Sequence, residues 1–198
     1  MKKLDILIVG VGGQGVILAS DILAEVGMVL GYDIKKSDIL GLAVRGGSVM
    51  SQVRWGNEVA SPVVMPGEVD FLLGFEPLEA LRVIDYLAPE SIVIVNTYPI
   101  PPVSVSSGDA SYPSLEEIKH ILKSGSGQTY FLDATGVAMK LGTARLANMV
   151  LLGAFAAQLN VAFDVWENVI KNRVPATYRD LNLRAFQAGR ALIQGGVR

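Results

Sequence analysis

The sequence contains no cysteine and one histidine, His120, among its 198 residues. Without cysteine the chain cannot form a disulfide, ligate an iron–sulfur cluster or build a thiolate zinc site. A single histidine further limits metal chemistry and excludes most imidazole-based proton relays. Any redox cofactor that this chain serves must therefore be held non-covalently or by a partner.

Charge is also sparse, since 18% of the residues are charged, 51% are hydrophobic and the formal net charge is -2. No block of lysine or arginine is present, so we expect no nucleic-acid partner. The apolar composition excludes a disordered chain and indicates surface that is buried against another subunit. The length predicts a single domain that spans residues 1–198.

Signals for secretion and for membrane insertion are lacking as well. Met1-Lys2-Lys3 leads directly into strand residues without a cleavage site, which predicts a cytoplasmic protein. Residues 146–163 carry no charge, but Asn148, Gln158 and Asn160 interrupt the stretch. We therefore expect a buried helix in the core or at an interface, and no membrane contact.

The most informative motif is the glycine loop Gly10-Val11-Gly12-Gly13-Gln14-Gly15, which matches the pattern G-x-G-x-x-G. An apolar run at residues 4–9 precedes it, and residues 16–29 follow with the apolar spacing of a helix. This order predicts backbone N–H groups at a positive helix terminus, which suits an anion such as phosphate. The alternative is a tight turn that only packs the helix on the sheet. Gln14 favours the first interpretation, because turn formation does not require its amide.

A second motif, Arg45-Gly46-Gly47-Ser48, follows about thirty residues later. Arginine before two glycines can bring a planar cation and backbone N–H groups to one phosphate or carboxylate. The alternative is a surface arginine before a β-bulge. In a doubly wound sheet both loops would lie near the carboxyl ends of strands, where ligands bind.

The rest of the chain alternates predicted strands and helices. Further strands are predicted at 33–37, 49–55, 58–61, 69–75, 91–96 and 128–133, with 58–61 returning as a hairpin partner of 49–55. Helices are predicted at 77–87, 114–123, 134–141, 145–160, from 164 and from 175 to 195. Tyr98 to Pro113 is predicted to be an extended surface loop. The fold class is α/β, three-layer α/β/α, with a mostly parallel (mixed) central sheet and a helical C-terminal third.

Other polar residues are weaker candidates for chemistry. Glu76 is expected beside a helix N-terminus, and His120 in solvent. Asn148 is either a hydrogen-bonded buried amide or an interface contact. Asp133 ends a strand without a second acid or base at a suitable distance. No nucleophile with a base and an orienting group emerges, so no catalytic residue is assigned.

Two general alternatives stay open at this point. A stand-alone NAD- or FAD-binding protein would need an acid after the second strand, where the sequence has Lys35-Lys36-Ser37 and only then Asp38. A non-catalytic subunit would use the apolar stretch at 146–159 purely as an assembly surface.

The paired motifs resemble a known family. The glycine loop followed by Arg45-Gly46-Gly47-Ser48 is similar to the gamma domain of 2-oxoacid:ferredoxin oxidoreductases. Residues 74–82 (GFEPLEALR), 148–154 and 182–189 are similar to the beta subunit of indolepyruvate ferredoxin oxidoreductase. The likeness extends over nearly the whole chain.

The resemblance implies a CoA-dependent oxidative decarboxylation of a 2-oxoacid, such as indolepyruvate, which yields an acyl-CoA, carbon dioxide and reduced ferredoxin. Thiamine diphosphate and the iron–sulfur clusters are expected on a larger alpha subunit, so this chain would hold no cofactor alone and would be inactive when isolated. Homodimerisation of the isolated chain stays open. The expected binding residues, which face the partner and enclose thiamine diphosphate or coenzyme A, are Gly10, Gly12, Gly13, Gln14, Gly15, Arg45, Gly46, Gly47 and Ser48.

Overall fold

The computed structural model describes residues 3–41 and 46–195. Within these ranges the chain forms a six-stranded sheet in the order β2-β3-β1-β4-β5-β6. The strands are β1 (Leu4–Val11), β2 (Asp33–Leu40), β3 (Ser48–Gly56), β4 (Val69–Gly74), β5 (Leu87–Asn96) and β6 (Gln128–Leu132). The α-helices are α1 (Val16–Val29), α2 (Pro77–Leu81), α3 (Val103–Ser106), α4 (Leu115–Ser124), α5 (Ala134–Lys140), α6 (Ala147–Ala156), α7 (Phe163–Arg173) and α8 (Arg179–Gln194).

The strand directions confirm the predicted mixed sheet. β1, β4, β5 and β6 pair in parallel, whereas β3 runs antiparallel to both β1 and β2. The predicted return strand at 58–61 is wrong, because β1 and β2 already occupy both edges of β3. β2 also continues to Leu40, beyond its predicted end at Ser37, since its whole length pairs with β3.

The segment that follows β3 does not pair as a strand, and side chains of β3 bind its backbone instead. Arg54 binds Asp5 through Nε at 2.8 Å and Nη2 at 3.0 Å, and its Nη1 donates to Val63 O at 2.6 Å. Gln52 Oε1 accepts the Val64 N–H at 2.6 Å. These bonds satisfy backbone groups that a strand would have paired in a ladder.

Helices cover both faces of the sheet, which confirms the three layers. Alternate strand residues such as Ile6 and Ile8 pack against α1 and against α5 to α8 on one face. Their neighbours Leu7 and Val9 share the other face with α2 and α4. This division follows the period of two along a strand. The C-terminal third of the chain is helical, as expected.

Several helix boundaries differ from the predicted ones. The helix expected at 77–87 ends at Leu81, and Leu87 opens β5 because it pairs with Val69. The long apolar helix expected at 145–160 is the shorter α6, in which residues 148–156 are all buried. The loop from Tyr98 to Pro113 contains the one-turn helix α3. No helix in the described part of the chain has both the length and the apolar character that a membrane span requires.

Two glycines let α6 and α8 pack backbone against backbone. A Cβ on Gly153 of α6 would collide with the carbonyl oxygen of Phe186, and one on Gly189 of α8 would collide with that of Val150. Larger residues at these positions would push the helices apart. The contact holds α6 firmly beneath the loops at the end of the sheet.

Candidate functional site

A small cleft lies at the carboxyl ends of β1 and β5. It has a volume of about 170 Å³, and its walls include Gly13, Gln14, Phe75, Asn96, Thr135 and Arg145. We call it the carboxyl-end cleft. Ligands of open α/β sheets bind at this edge, so the structure places part of the glycine loop where the fold predicts a site.

The glycine loop is shaped by close packing and by left-handed backbone. Gly13 and Gly15 have φ values of 103° and 81°, which favour glycine. A Cβ on Gly10 would come within 2.9 Å of Phe75 Cβ. Gly13 is exposed at the tip of the loop, whereas Gly10 is buried beneath it. Gly13 and Gln14 are the residues of the loop that line the cleft.

Gln14 has a structural function that the sequence interpretation overlooked. Its Oε1 accepts the Val11 N–H at 2.7 Å, and its Nε2 donates to Phe75 O at 2.8 Å. The amide thus ties the loop to the end of β4, so turn geometry does use this side chain. Its role in orienting a ligand stays a prediction.

The two glycine motifs are in direct contact. Gly12 N–H donates to Gly47 O at 2.8 Å, and Gly46 N–H approaches Gly12 O at 3.5 Å. The first bond occupies one of the N–H groups that were expected to face an anion. Arg45, the cation of the second motif, lies outside the described residues. The expected proximity of the two loops is nevertheless present.

Ser48 is directed towards α2. Its Oγ donates to Glu79 Oε2 at 2.5 Å, and Glu79 also forms an ion pair with Arg82. Its hydroxyl therefore already has a protein acceptor.

Glu76 caps α2 from a buried position, as expected. It is 1% exposed, and its carboxylate accepts the N–H groups of Glu79 at 2.9 Å and Ile100 at 3.0 Å. The Tyr112 hydroxyl donates to it at 2.5 Å. Burial and this carboxylate raise the pKa of Tyr112 above its usual value. Glu76 thus anchors the loop from Tyr98 to Pro113 over the sheet.

Asn96 and Thr135 form a buried polar pair at the floor of the cleft. Asn96 Nδ2 donates to Thr135 Oγ1 at 2.9 Å, and Asn96 Oδ1 accepts the Thr135 N–H at 3.3 Å. Asn96 also donates to Phe75 O, the acceptor that Gln14 uses. This network connects β5, α5 and the glycine loop. The sequence offered no local signal for it, because the partners are far apart along the chain.

A second pocket of about 470 Å³ lies beside the first turns of α1 and α6. Its walls include Leu18, Arg145, Asn148, Arg173, Tyr178 and Asn182. We call it the α6–α8 pocket. Arg145 lines this pocket and the carboxyl-end cleft. Arg145 was missed from the sequence, although its position before an uncharged helix with no first-turn acid was a usable signal.

Among the described residues no cluster of three or more His, Asp or Glu side chains could hold a metal ion. His120 is exposed on α4, as expected.

Comparison with known proteins agrees with this architecture. Residues 5–192 match the family model described as pyruvate ferredoxin/flavodoxin oxidoreductase. The chain belongs to this family.

Individual members of the oxidoreductase family match almost the whole chain. The indolepyruvate oxidoreductase subunit IorB of Pyrococcus horikoshii is 40% identical over 192 residues, which are 96% of this chain and 95% of that protein. The solved gamma subunit of a keto/oxoacid ferredoxin oxidoreductase from Geobacter sulfurreducens PCA is 26% identical. Its TM-score is 0.71, with coverage of 98% of this chain and 99% of that one.

A third relative contains the same fold within a longer chain. The 2-oxoglutarate:ferredoxin oxidoreductase from Magnetococcus marinus, solved with 2-oxoglutarate, coenzyme A and succinyl-CoA, has a TM-score of 0.76 and 22% identity. The likeness covers 98% of this chain and 32% of that one. At this identity it shows the fold alone. The family model and the 40% identical relative confirm the family resemblance, and the chain is a subunit of an oxidoreductase complex.

Proposed function

We propose that this chain is the small subunit of a CoA-dependent 2-oxoacid:ferredoxin oxidoreductase that acts on indolepyruvate or a related arylpyruvate. The observation that carries the proposal is 40% identity to an indolepyruvate oxidoreductase subunit over nearly the full length of both chains. The proposal includes a larger partner subunit and a cytoplasmic complex. The isolated small subunit would be inactive.

The reaction would convert a 2-oxoacid, coenzyme A and two oxidised ferredoxins into an acyl-CoA, carbon dioxide, two reduced ferredoxins and a proton. Thiamine diphosphate would supply the decarboxylation chemistry from the partner. The small subunit has no cysteine, so it has no thiolate ligand for an iron–sulfur cluster. Placing the cofactors on the partner agrees with the sequence of this chain, in which no nucleophile–base pair was recognised.

In this scheme the small subunit forms one wall of a shared active site. The glycine loop and residues Arg45 to Ser48 would face the partner and enclose thiamine diphosphate or coenzyme A. The bond between Gly12 and Gly47 supports a common surface for the two motifs. The contribution would be positional and electrostatic, with Arg45 neutralising negative charge and no proton transfer assigned to this chain.

The sheet order argues against the dinucleotide alternative. A Rossmann site uses an acid on the parallel strand next to β1, but here the antiparallel β3 occupies that position. Lys36 on the outer strand β2 is already paired with Asp21 and Asp38. Because β3 separates β2 from β1, no residue of β2 takes the place of the acid that binds the ribose in a Rossmann site.

Co-expression with the larger subunit from the same genome tests the proposal. We expect a stable complex that reduces ferredoxin in the presence of coenzyme A, with a higher kcat/KM for indolepyruvate than for pyruvate. Arg45→Ala should preserve assembly and raise the KM for coenzyme A or lower kcat, whereas Arg184→Ala on the exposed side of α8 should change neither. A complex without 2-oxoacid-dependent reduction of ferredoxin would refute the proposed reaction, and unchanged kinetics for Arg45→Ala would remove Arg45 from the site.

A further inference from the structure

The strand β2 lies at one end of the sheet. It pairs with β3 on its inner side, and no strand in the described part of the chain pairs with its outer side. Its last two residues, Ile39 and Leu40, are 54% and 64% exposed. An open strand edge offers its free N–H and C=O groups to another strand. An open edge that ends in two exposed apolar residues indicates a surface that another strand covers.

The backbone groups on the outer side of β2 belong to alternate residues. Gly41 N–H, directly after the strand, donates to Ser48 O at 3.0 Å. The odd-numbered residues therefore exchange hydrogen bonds with β3, and the even-numbered ones direct their N–H and C=O groups away from the sheet. These outward-facing residues are Ile34, Lys36, Asp38 and Leu40.

The side chains of the outward-facing residues share the face of the sheet that α1 covers. Ile34 packs against Gly27 of α1, at the margin of the larger apolar core. Lys36 Nζ donates to Asp21 of α1 and to Asp38, both at 2.7 Å. Because two carboxylates balance its charge, this lysine does not block the edge. The face has an apolar residue near each end of the strand, with a lysine and an aspartate between them.

This order of side chains is complementary to itself. An antiparallel pair of strands related by a two-fold axis must pair about one residue, because only residues of the same parity then share a face. With the axis at Ser37, Lys36 lies opposite Asp38 of the second copy. Ile34 then lies opposite Leu40 of the second copy. An axis at Lys36 or at Asp38 would place like charges directly opposite each other, which is unfavourable.

We propose that the outer edge of β2 binds a second copy of this chain in the register centred on Ser37. The even-numbered residues then exchange both backbone hydrogen bonds across the axis, and the two sheets become one. Leu40 of each copy covers the apolar margin at Ile34 of the other. The interface uses the same surface of both copies, so the assembly closes at two. This inference does not rest on the proposed function.

Sedimentation velocity of the purified full-length chain measures the association. We expect a dimer. Leu40→Lys places a charge opposite Ile34 of the second copy and should raise the Kd of the dimer about tenfold. Met139→Lys is the matched control, because Met139 is 59% exposed and lies on α5. An unmodified chain that sediments as a monomer throughout, or equal Kd values for the two variants, would overturn the proposal.

A single cysteine tests the register, since the chain has none of its own. Opposite residues in a non-hydrogen-bonded antiparallel pair have Cα atoms about 4.5 Å apart, which suits a disulfide. Ser37→Cys should therefore give a covalent dimer on mild oxidation. Lys35→Cys, on the same strand, would be roughly 14 Å from its counterpart and should stay monomeric under non-reducing electrophoresis. No cross-link in Ser37→Cys, or equal cross-linking of both variants, would contradict this register.

Exchange of charge supplies a further readout. Asp38→Lys places lysines opposite each other, and Lys36→Asp does the same with aspartates, so each variant alone should lose the dimer. A mixture of the two variants should form a heterodimer, because each lysine again meets an aspartate. Folded variants that stay monomeric when mixed would refute the pairing. If either variant does not fold, Ser37→Cys and its Lys35→Cys control still decide the outcome.

The complex with the larger subunit separates the second copy from the other occupant of this edge. In the co-expressed complex, Ser37→Cys should cross-link two small subunits. If the larger subunit covers β2 instead, this cross-link is absent and the proposal is overturned. Cross-linking requires no activity, so an inactive complex with cross-linked small subunits would refute the proposed function and leave the interface standing.

Discussion

The N-termini of α4 and α1 solve the same physical problem in opposite ways. Every α-helix begins with N–H groups that lack an intrahelical acceptor. In α4 the Ser114 hydroxyl accepts the Glu117 N–H, while the Glu117 carboxylate accepts the Ser114 N–H, so the chain seals its own helix end. In α1 the N-cap is Gly15 in the left-handed region, without a side chain to accept anything.

A second comparison is between α2 and α6. Glu76 caps the short α2 from within the core, whereas α6 continues from the 3-10 helix Ala144–Leu146, whose N-cap Thr143 accepts the Arg145 N–H. A missing side-chain cap alone does not mark a ligand site, because α3, α7 and α8 also lack one. What distinguishes the start of α1 is its position at the carboxyl edge of the sheet, where an external acceptor is expected.

The largest effect should follow from opening the closed end of α2. Glu76→Ala leaves the N–H groups of Glu79 and Ile100 and the Tyr112 hydroxyl without their acceptor, so we expect a loss of about 3–5 kcal/mol in the free energy of unfolding. Urea denaturation measures it. Glu116→Ala, at an exposed position of α4, is the control with little expected effect. A loss below about 1 kcal/mol would mean that the buried cap is dispensable.

An intermediate effect is expected at the loop that holds the open end of α1 in place. Gln14→Ala removes the bonds to Val11 N and Phe75 O and should cost about 2 kcal/mol. Thermal unfolding tests this against Gln187→Ala, at an exposed glutamine of α8. Stability equal to that of the unmodified chain, together with weaker ligand binding, would indicate that Gln14 serves the ligand and not the turn.

The smallest effect concerns the sealed end of α4. Ser114→Ala should cost about 1 kcal/mol, with the exposed Ser111→Ala as control. Hydrogen bonds from Ser114 hold the pKa of Glu117 below its usual 4.5, so their contribution is present above that value and is lost as the pH falls through the lowered pKa. The stability difference between the two proteins should therefore shrink on acidification. A difference that does not change between pH 7 and pH 3 would contradict this account.

Local sequence signals predicted the parts of the fold that depend on near neighbours. The capping box at Ser114, the strand before Gly10 and the glycine turn are all set within a few residues, and each is present. The position of Glu76 at a helix N-terminus was predictable for the same reason, because Pro77 marks the first helical position.

Long-range pairing decided what the sequence could not predict. Whether residues 58–61 form a strand depends on whether an edge of β3 is free, and β1 and β2 leave none. The placement of Asn148 over Gly15 likewise depends on how α6 packs against the other helices. Both glycine motifs were expected near the carboxyl ends of strands because of the doubly wound sheet, and the Gly12–Gly47 bond provides the physical link between them.

The close contact between α6 and α8 bears on the thermodynamics of ligand binding. Because each helix rests against the other's carbonyl groups at Gly153 and Gly189, neither can slide or rotate without steric overlap. The residues of α6 that line the carboxyl-end cleft, Ala147 and Leu151, are therefore already ordered before a ligand binds. Binding in this cleft should then proceed with a small loss of conformational entropy in the protein, and its heat should come chiefly from the exchange of water for protein groups that are already in position.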